Sequence, residues 1–560
     1  MSSLDQFKKD ILKLRELSSQ SPSFDLITEE QELLDRYRGS LPRGKARQAA
    51  TLAELYELLV RGEEASSVYT PPELAEELYL KTRDVMAEDA AILDCSSGTG
   101  NLAKPFFEAG WKVDLMDMDE MALSLAKLTY PSATIITEDF LEAGRMWDVI
   151  IGNPPYKGHK STTGEETASL KKRFPEVMDN KADLYYAFFA KAFEVLKEDG
   201  ILSFIVSRYW LEAESAVSLR RFILNRFRIL YIHDWYGIRP FGAGVDPLLI
   251  VLKKERQAGA ADPLHDKIPG GIEELWISAI EAGREEGRGE LAEKEGMHTS
   301  AEKSSDYEIP VIREDQGPFI ISRSQLSESS MKILTAKEIR LREIIQETSA
   351  LTLGEAGDFY QGIITGFDGA FIMSEADAER RGIEKELLVP WAKSSDLKQL
   401  EEDGCRQGLN QLIYADSSAE NCPGFMAYIE EHRERLSGRR EVRKGMKGFY
   451  ELQWGRERAV FESERILFPY KAAGSQFVIA EDIYHSADIY SFRTDLDLKW
   501  LVEILNSPLY DRYIKTELKK LGGALYEYYP HRLKGIRIPD PRRFSDPVGY
   551  LESIEGRLIR

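Results

Sequence analysis

ILDCSSGTGNLAKPFFEAG, Ile92 to Gly110, reads as a short apolar strand, a glycine-containing turn and a helix. Gly98 and Gly100 let the backbone turn sharply and let a ligand approach without a Cβ in the way, and Asp94 sits at the strand's end. The motif is not a complete G-x-G-x-x-G, so a bare strand-to-helix turn reads the same way when taken alone. Its surroundings decide the fold. Between residues 66 and 253 the runs AAILDC, WKVDLMDM, ATIIT, DVIIG, GILSFIVS, ILYIHDW and PLLIVLKK are short and apolar, with helical segments between several of them. That alternation predicts an α/β domain with a mostly parallel sheet covered on both faces.

Successive strands end in ligand-type residues. WKVDLMDMDEMAL ends in acids at about the spacing where a carboxylate meets a ribose diol, with Asp117 better placed than Asp119; solvated loop acids are the alternative. ATIITEDFLE ends in Asp139-Phe140, where a carboxylate can accept from an adenine amino group while the ring packs on its face. WDVIIGNPPYKGHK, Trp147 to Lys160, ends in Gly152-Asn153-Pro154-Pro155-Tyr156. The prolines fix φ and carry no N–H, so the carbonyls there are held outward, and Asn153 adds a side-chain carbonyl. Two acceptors together suit an NH2 group whose nitrogen must become a better nucleophile, and Tyr156 offers a flat face to a planar substrate. A structural Pro-Pro turn explains the dipeptide but neither the Asn nor the Tyr.

At 560 residues and 63.7 kDa the chain predicts two or three domains. No apolar run reaches the roughly 18 residues a membrane span needs. The N-terminus MSSLDQFKKDILKLRELSSQ is amphipathic rather than a signal peptide, so a soluble cytoplasmic protein with no membrane partner is expected. The three cysteines are not paired at C-x-x-C spacing, which predicts reduced thiols and no metal site. Residues 1–65 are expected to be helical, with Leu4, Phe7, Ile11 and Leu14 on one face. Residues 254–308 are charged and apolar-poor, as in a linker or insertion, and a new globular pattern runs from IPVIR over 309–560.

The net charge of -21 pulls against a nucleic-acid partner, but binding depends on local potential. Residues 431–458, EHRERLSGRREVRKGMKGFYELQWGRER, concentrate Arg and Lys (Arg439 and Arg440 among them) with Tyr450 and Trp454 interleaved. This suits phosphate contact with aromatic or arginine readout. With five glutamates present, a solvated charged helix is the alternative.

DCSSGTG, MDMDE, EDF and NPPY, in this order, resemble the amino-methyltransferases that use S-adenosylmethionine, in the branch whose cofactor motifs precede the Asn-Pro-Pro-Tyr; SSVYTPPELAEELY, Ser66 to Tyr79, resembles the motif just upstream. The resemblance implies a Rossmann-like seven-stranded methyltransferase sheet over 66–253, behind the helical N-terminal segment. It puts Thr70, Pro71, Asp94, Ser96, Gly98 and Gly100 toward the methionine end of the cofactor, Asp117 at the ribose, and Asp139 and Phe140 at the adenine. Asp183 matches a further motif near that pocket. Asn153, Pro154, Pro155 and Tyr156 become the catalytic set, with Asn153 also facing the cofactor. The target base is turned out of the duplex, Asn153 and the Pro154 carbonyl grip N6, and Tyr156 covers one face of the base. Phe241, in IRPFGAGVDPLLIVL, covers the other, unless it is a core phenylalanine. The transfer is a direct in-line displacement with no metal or covalent intermediate.

In the C-terminal half, DFYQGIITGFDGAFIM (Asp358 to Met373), YELQWGRER, ILFPYKAAGSQFVIAEDIYHSADIYSF (Ile466 to Phe492) and LVEILNSPLYDRYI resemble the specificity domain of TaqI-like adenine methyltransferases. The full layout, including GNPPYKGHK and GALYEYYPHRLKGIRIP, is similar to orphan DNA adenine methyltransferases of CamA type. This implies a mixed α+β DNA-recognition domain over 309–560 and a cleft between the domains for double-stranded DNA. Expected DNA contacts are Gln361, Thr365, Phe367, Lys471 and Tyr528, with Arg439, Arg440, Tyr450 and Trp454 of the basic segment. A monomer that modifies adenine N6 without cleaving is expected, with a separate restriction endonuclease as a conceivable partner. An RNA or protein-glutamine methyltransferase and a non-catalytic DNA specificity subunit are the alternatives.

Overall fold

The computed structural model describes residues 3–20, 25–40, 49–61, 70–156, 163–179, 181–239, 246–255, 306–403 and 408–559. The chain forms two compact units, Met1–Thr335 and Ala336–Arg560.

The first unit is built on a nine-stranded sheet in the order β3-β2-β1-β4-β5-β7-β6-β8-β9. The strands are β1 (Ile92–Asp94), β2 (Val113–Asp117), β3 (Thr134–Thr137), β4 (Trp147–Gly152), β5 (Leu196–Ser207), β6 (Phe227–Asp234), β7 (Pro247–Lys254), β8 (Glu308–Arg313) and β9 (Gly317–Ser322). β1 to β5 run parallel, while β7 is antiparallel to both β5 and β6. Strand β4 shows why its sequence is continuously apolar: successive side chains face opposite sides, and both sides are covered. Val149 and Ile151 belong to one core with Leu74 and Leu78 of α4 (Pro72–Arg83), whereas Ile150 belongs to another with Phe189 of the helix Leu184–Val195 and Phe222 of the helix Val217–Arg226.

The seven strands expected from the sequence are present in that order, and two more extend the sheet. IPVIR, read as the start of the second domain, is β8: it pairs parallel with β6, with Val311 opposite Ile232, and then turns back antiparallel as β9. Ile309 and Val311 are fully buried in the same core as β4 and β5. The first unit therefore extends past residue 309 to Thr335, and most of the charged stretch, residues 256–305, joins two strands of one sheet rather than two domains. Its conformation lies outside the described residues, as does Phe241.

N-terminal helices α1 (Ser3–Gln20), α2 (Leu26–Ser40) and α3 (Leu52–Arg61) pack with one another and on the helix Glu120–Thr129 that follows β2. Phe7 and Ile11 of α1 meet Leu55 and Tyr56 of α3 and Met121 and Leu125 of that helix, and Arg15 Nη1 donates to Ser124 Oγ at 2.8 Å.

The second unit is a mixed α+β domain. One four-stranded sheet joins Gly357–Gln361, Ile489–Thr494, Arg465–Pro469 and Val478–Ala480; another joins Ile372–Met373, Asn410–Ile413, Leu388–Ala392 and Tyr484–His485. Helices Ala336–Thr348, Leu498–Asn506, Pro508–Glu517 and Pro547–Ile559 complete it. Among the described residues no helix is long and apolar enough to cross a membrane.

Candidate active site

Because β3, β2, β1 and β4 are neighbours running the same way, their carboxyl ends come together at one edge of the sheet, where doubly wound folds bind ligands. A cavity of about 520 Å³ opens there. It is lined by Ser96 and Gly98 after β1, Asp117 at the end of β2, Asp139 and Phe140 after β3, Asn153 to Tyr156 after β4, and Thr70 ahead of α4. The strand-end pattern singles out most of these; Thr70 and Ser96 are expected from the resemblance.

The turn after β1 is held by the carboxylate at the end of β2. Gly98 N donates to Asp117 Oδ2 at 2.8 Å and Asp119 N to Oδ1 at 2.9 Å. Burial raises the Asp117 carboxyl above its ordinary range, and the two N–H donors oppose that rise. Asp119 is a scaffold residue: its Oδ1 caps the following helix through Met121 N and Ala122 N, and its Oδ2 accepts from Tyr56 at 2.6 Å. Asp139 Oδ1 caps its own short turn through Leu141 N at 3.0 Å, while Oδ2 accepts from no described residue. Phe140 is buried against Phe188 at a centroid distance of 5.3 Å, and both rings reach the cavity wall.

Asp94 lies behind the lining, fully buried, with Ser96 N 3.4 Å from its Oδ1. Burial pushes its carboxyl up to about 8. Asp94 Oδ2 and the Ser97 hydroxyl are buried with no hydrogen-bond partner among the described residues. Unsatisfied buried polar atoms are costly, so their presence beside a cavity fits a polar or cationic ligand.

At the end of β4, Gly152 is required by close approach: a Cβ there would stand 2.6 Å from Cys95 Sγ. Asn153 is 9% exposed. Its Nδ2 donates to Thr70 Oγ1 at 3.1 Å, and its Oδ1 accepts from the Tyr156 hydroxyl at 2.6 Å. That hydroxyl also lies 3.2 Å from the Ile205 carbonyl, and burial pushes the phenol well above its usual value, so it stays a neutral donor. The Tyr156 ring meets Tyr185 edge-on at 6.2 Å.

Four expected cofactor-side residues do not line the cavity, Asp94 behind it and three more. Gly100, at φ +87, has Tyr130 where its Cβ would be, 2.9 Å away, so its role is close packing of the helix behind the turn. Pro71 starts α4, its carbonyl accepting from Leu74 N and Ala75 N. Asp183 stands at the N-cap of the helix Leu184–Val195, as a helix-start acid would. Conversely, the cavity includes Leu4, Lys8, Tyr56 and Val60 of the N-terminal helices and Phe188, none of which the strand-end pattern could reveal. Among the described residues no group of three or more His, Cys, Asp or Glu could hold a metal ion.

In the second unit the expected DNA contacts divide. Tyr528 is fully buried with its ring against Phe477 at 6.2 Å, so it is a core residue and cannot touch DNA from there. Arg439 is spent on the fold: its guanidinium donates to the carbonyls of Thr365, Phe449 and Glu451. Thr365 is buried, with its hydroxyl on Asp368 Oδ1 at 2.5 Å. Tyr450 is half-buried and donates to Glu420. Exposed are Gln361, which accepts from Arg456 at 2.9 Å, and also Arg440, Trp454 and Lys471. Phe367 is half-buried, with the Arg435 guanidinium 3.7 Å above its ring. Arg440, Arg443 and Lys444 are exposed and make no ion pair among the described residues.

Residues 111–241 match the family model of the Eco57I restriction-modification methylase, and residues 426–538 match that of the TaqI-like C-terminal specificity domain. The chain is similar to the Type II methyltransferase M.XhoI of Xanthomonas vasicola, 23% identical over 425 residues that cover 74% of this chain and 72% of that protein. It is also similar to the Type II methyltransferase M.BstVI of Geobacillus stearothermophilus, 22% identical over 421 residues, covering 73% and 70%. Among solved structures, the type IIG restriction endonuclease BpuSI aligns at a TM-score of 0.43 and 15% identity over 99% of this chain and 71% of that one.

Sheet, strand-end site and family matches together define an S-adenosyl-L-methionine-dependent methyltransferase. More particularly, the chain joins a region that matches restriction-modification methylases to one that matches TaqI-like specificity domains. The residues present fit that cofactor: Asp117 keeps lone pairs for hydroxyl donors, Asp139 keeps one oxygen for an amino group, and Asp94 Oδ2 and Ser97 Oγ lack partners near the turn.

Proposed function

We propose that this protein is a site-specific DNA methyltransferase that modifies N6 of an adenine turned out of a double-stranded duplex. The observation that carries the reading is that the turn from Asn153 to Tyr156, with its acceptors and aromatic ring, lines the same cavity as Asp117 and Asp139. The TaqI-like specificity domain and the relatives named as Type II methyltransferases support DNA as the substrate.

S-adenosyl-L-methionine, when bound, would supply an electrophilic methyl group, its C–S bond breaking as the N–C bond forms so that the neutral thioether is the leaving group. In this reading Asn153 Oδ1, aligned by the Tyr156 hydroxyl, and the Pro154 carbonyl accept the two hydrogens of the adenine amino group and draw its lone pair out of conjugation with the ring. Thr70 fixes the amide's orientation through Asn153 Nδ2. Tyr156 stacks on the base, and Phe241 is the candidate for its other face. The nitrogen gains the methyl group and releases one proton, so the residues contribute positioning and electrostatics. We read the enzyme as modifying without cleaving; in support, the helices Ser3–Gln20, Leu26–Ser40 and Leu52–Arg61 pack on the cofactor domain.

The direct test is transfer of labelled methyl groups to unmethylated genomic DNA, with the product mapped by sequencing and a parallel assay for strand breaks. N6-methyladenine in one recurrent motif, with intact strands, is the expected result. Label in RNA or protein instead would overturn the DNA assignment, and breaks would overturn modification without cleavage.

Two further outcomes follow from charge. Burial raises Asp94 to about 8 from an ordinary 3.8. Its contribution to the stability of the unliganded protein is therefore full below the lower value and lost as pH rises through the higher one. A cation bound nearby favours the carboxylate, so cofactor binding expels a proton and tightens as pH rises toward about 8, by at most about tenfold per unit. Calorimetry in two buffers of different ionisation enthalpy measures that proton; an affinity independent of pH would contradict the coupling. In the specificity domain, replacing Arg440, Arg443 and Lys444 by alanine is expected to weaken duplex binding equally for all sequences. The log–log salt slope should fall by about 0.9 for each lost phosphate contact. An unchanged slope would place the phosphate contacts elsewhere.

A further inference from the structure

Glu57 is an acid on an otherwise apolar stretch of α3, and it is only 7% exposed. A buried carboxylate is tolerated where donors hold it. Its Oε1 accepts from both Thr99 Oγ1 and Asn101 Nδ2, which belong to the turn after β1. The neighbouring residue closes the connection from the other side. Tyr56 donates to Asp119 Oδ2, Asp119 N donates to Asp117 Oδ1, and Asp117 Oδ2 accepts from Gly98 N, one residue before Thr99. A ring of hydrogen bonds thus leaves α3 at Glu57, passes through the turn and Asp117, and returns to α3 at Tyr56. Tyr56 and Val60 of α3 and Leu4 and Lys8 of α1 also form one wall of the same cavity.

We infer that α3 is a working part of the cofactor site and that Glu57 is a positioning residue, holding the turn of residues 97–101 in the shape that binds S-adenosylmethionine. The inference rests on the assignment of this cavity to that cofactor. A rigid turn presents its groups without an ordering cost at binding, whereas a freed turn has to be ordered by the ligand. The effect therefore falls on cofactor affinity and on cofactor KM, not on kcat at saturation and not on duplex binding.

The test is cofactor affinity by calorimetry on the full-length protein, beside its melting temperature and duplex affinity. Glu57→Ala is expected to raise the cofactor Kd by about tenfold or more, since it removes the charge-assisted contacts to both Thr99 and Asn101, with kcat at saturating cofactor nearly unchanged. Glu57→Gln keeps an acceptor oxygen and should recover most of the affinity. Should Glu57→Ala not fold, Thr99→Val serves: Thr99 does not line the cavity, and its variant removes one donor to the same carboxylate. Several-fold weaker cofactor binding at intact duplex affinity is expected from it. A Glu57→Ala protein, or in its place a Thr99→Val protein, that is folded and binds cofactor within about twofold of wild type would overturn the inference; so would a parallel loss of cofactor and duplex affinity. A wild type that binds no S-adenosylmethionine would instead remove the cofactor assignment on which the inference stands.

Discussion

Asn153→Ala is expected to lower the single-turnover rate of methyl transfer by about 1,000-fold, the usual consequence of deleting one preorganised hydrogen-bonding group at a centre where charge develops. In the proposed reaction the amino nitrogen becomes positively charged as it attacks, and Asn153 Oδ1 accepts one of its hydrogens. The side chain is held from both ends, by Thr70 on Nδ2 and by Tyr156 on Oδ1, so its oxygen is already aimed before substrate arrives. Alanine removes the acceptor and leaves the Tyr156 hydroxyl with the Ile205 carbonyl alone. Cofactor affinity should change by less than about tenfold, since the turn held by Asp117 is untouched. Rapid-quench measurement with labelled cofactor and a duplex carrying the recognition site separates the two effects. Turnover by the alanine protein within about tenfold of wild type would mean that Asn153 does not hold the nucleophile.

Asp117→Asn is expected to weaken cofactor binding by about 100-fold, or roughly 3 kcal/mol. Each carboxylate oxygen of Asp117 accepts one backbone N–H, from Gly98 and from Asp119, and retains lone pairs for ribose hydroxyls. An amide presents one oxygen and one NH2, so one of those N–H groups would face another donor. The turn then loses a charge-assisted bond and must move to escape the clash. The same calorimetric titration measures the effect; an affinity within threefold of wild type, about the context scatter of single hydrogen bonds, would show that the Asp117 carboxylate does not organise the site.

Much of this was legible before any coordinates. A strand buried on both faces is an unbroken apolar run, and a ligand-bearing strand end is that run followed at once by a polar residue. Asp117, Asp139 and Asn153 were therefore visible as punctuation, and the parallel order of β1 to β4 made it inevitable that they share an edge. Pro154 and Pro155 were visible for the same reason, since a rigid pair directly after a strand serves no purpose within the sheet.

Pairing and burial across long separations were decided by the tertiary structure. IPVIR is a good strand wherever it docks, and only the exposed edge of β6 makes it β8, some fifty residues of intervening chain after β7. Tyr528 and Arg439 are residue types that suit nucleic-acid contact. One is enclosed by aromatic packing, and the other is saturated by main-chain carbonyls, neither of which a local pattern records. Glu57 marks the opposite case: on α3 it reads as a solvent-facing acid, and it acquires a role only because α3 packs beside the helix after β2 and meets a turn over forty residues away. The sequence alone determined which residues could do chemistry at strand ends, because local periodicity and turn chemistry act over a few residues. Which of those residues face the cavity, and which distant side chains hold them there, depended on long-range packing.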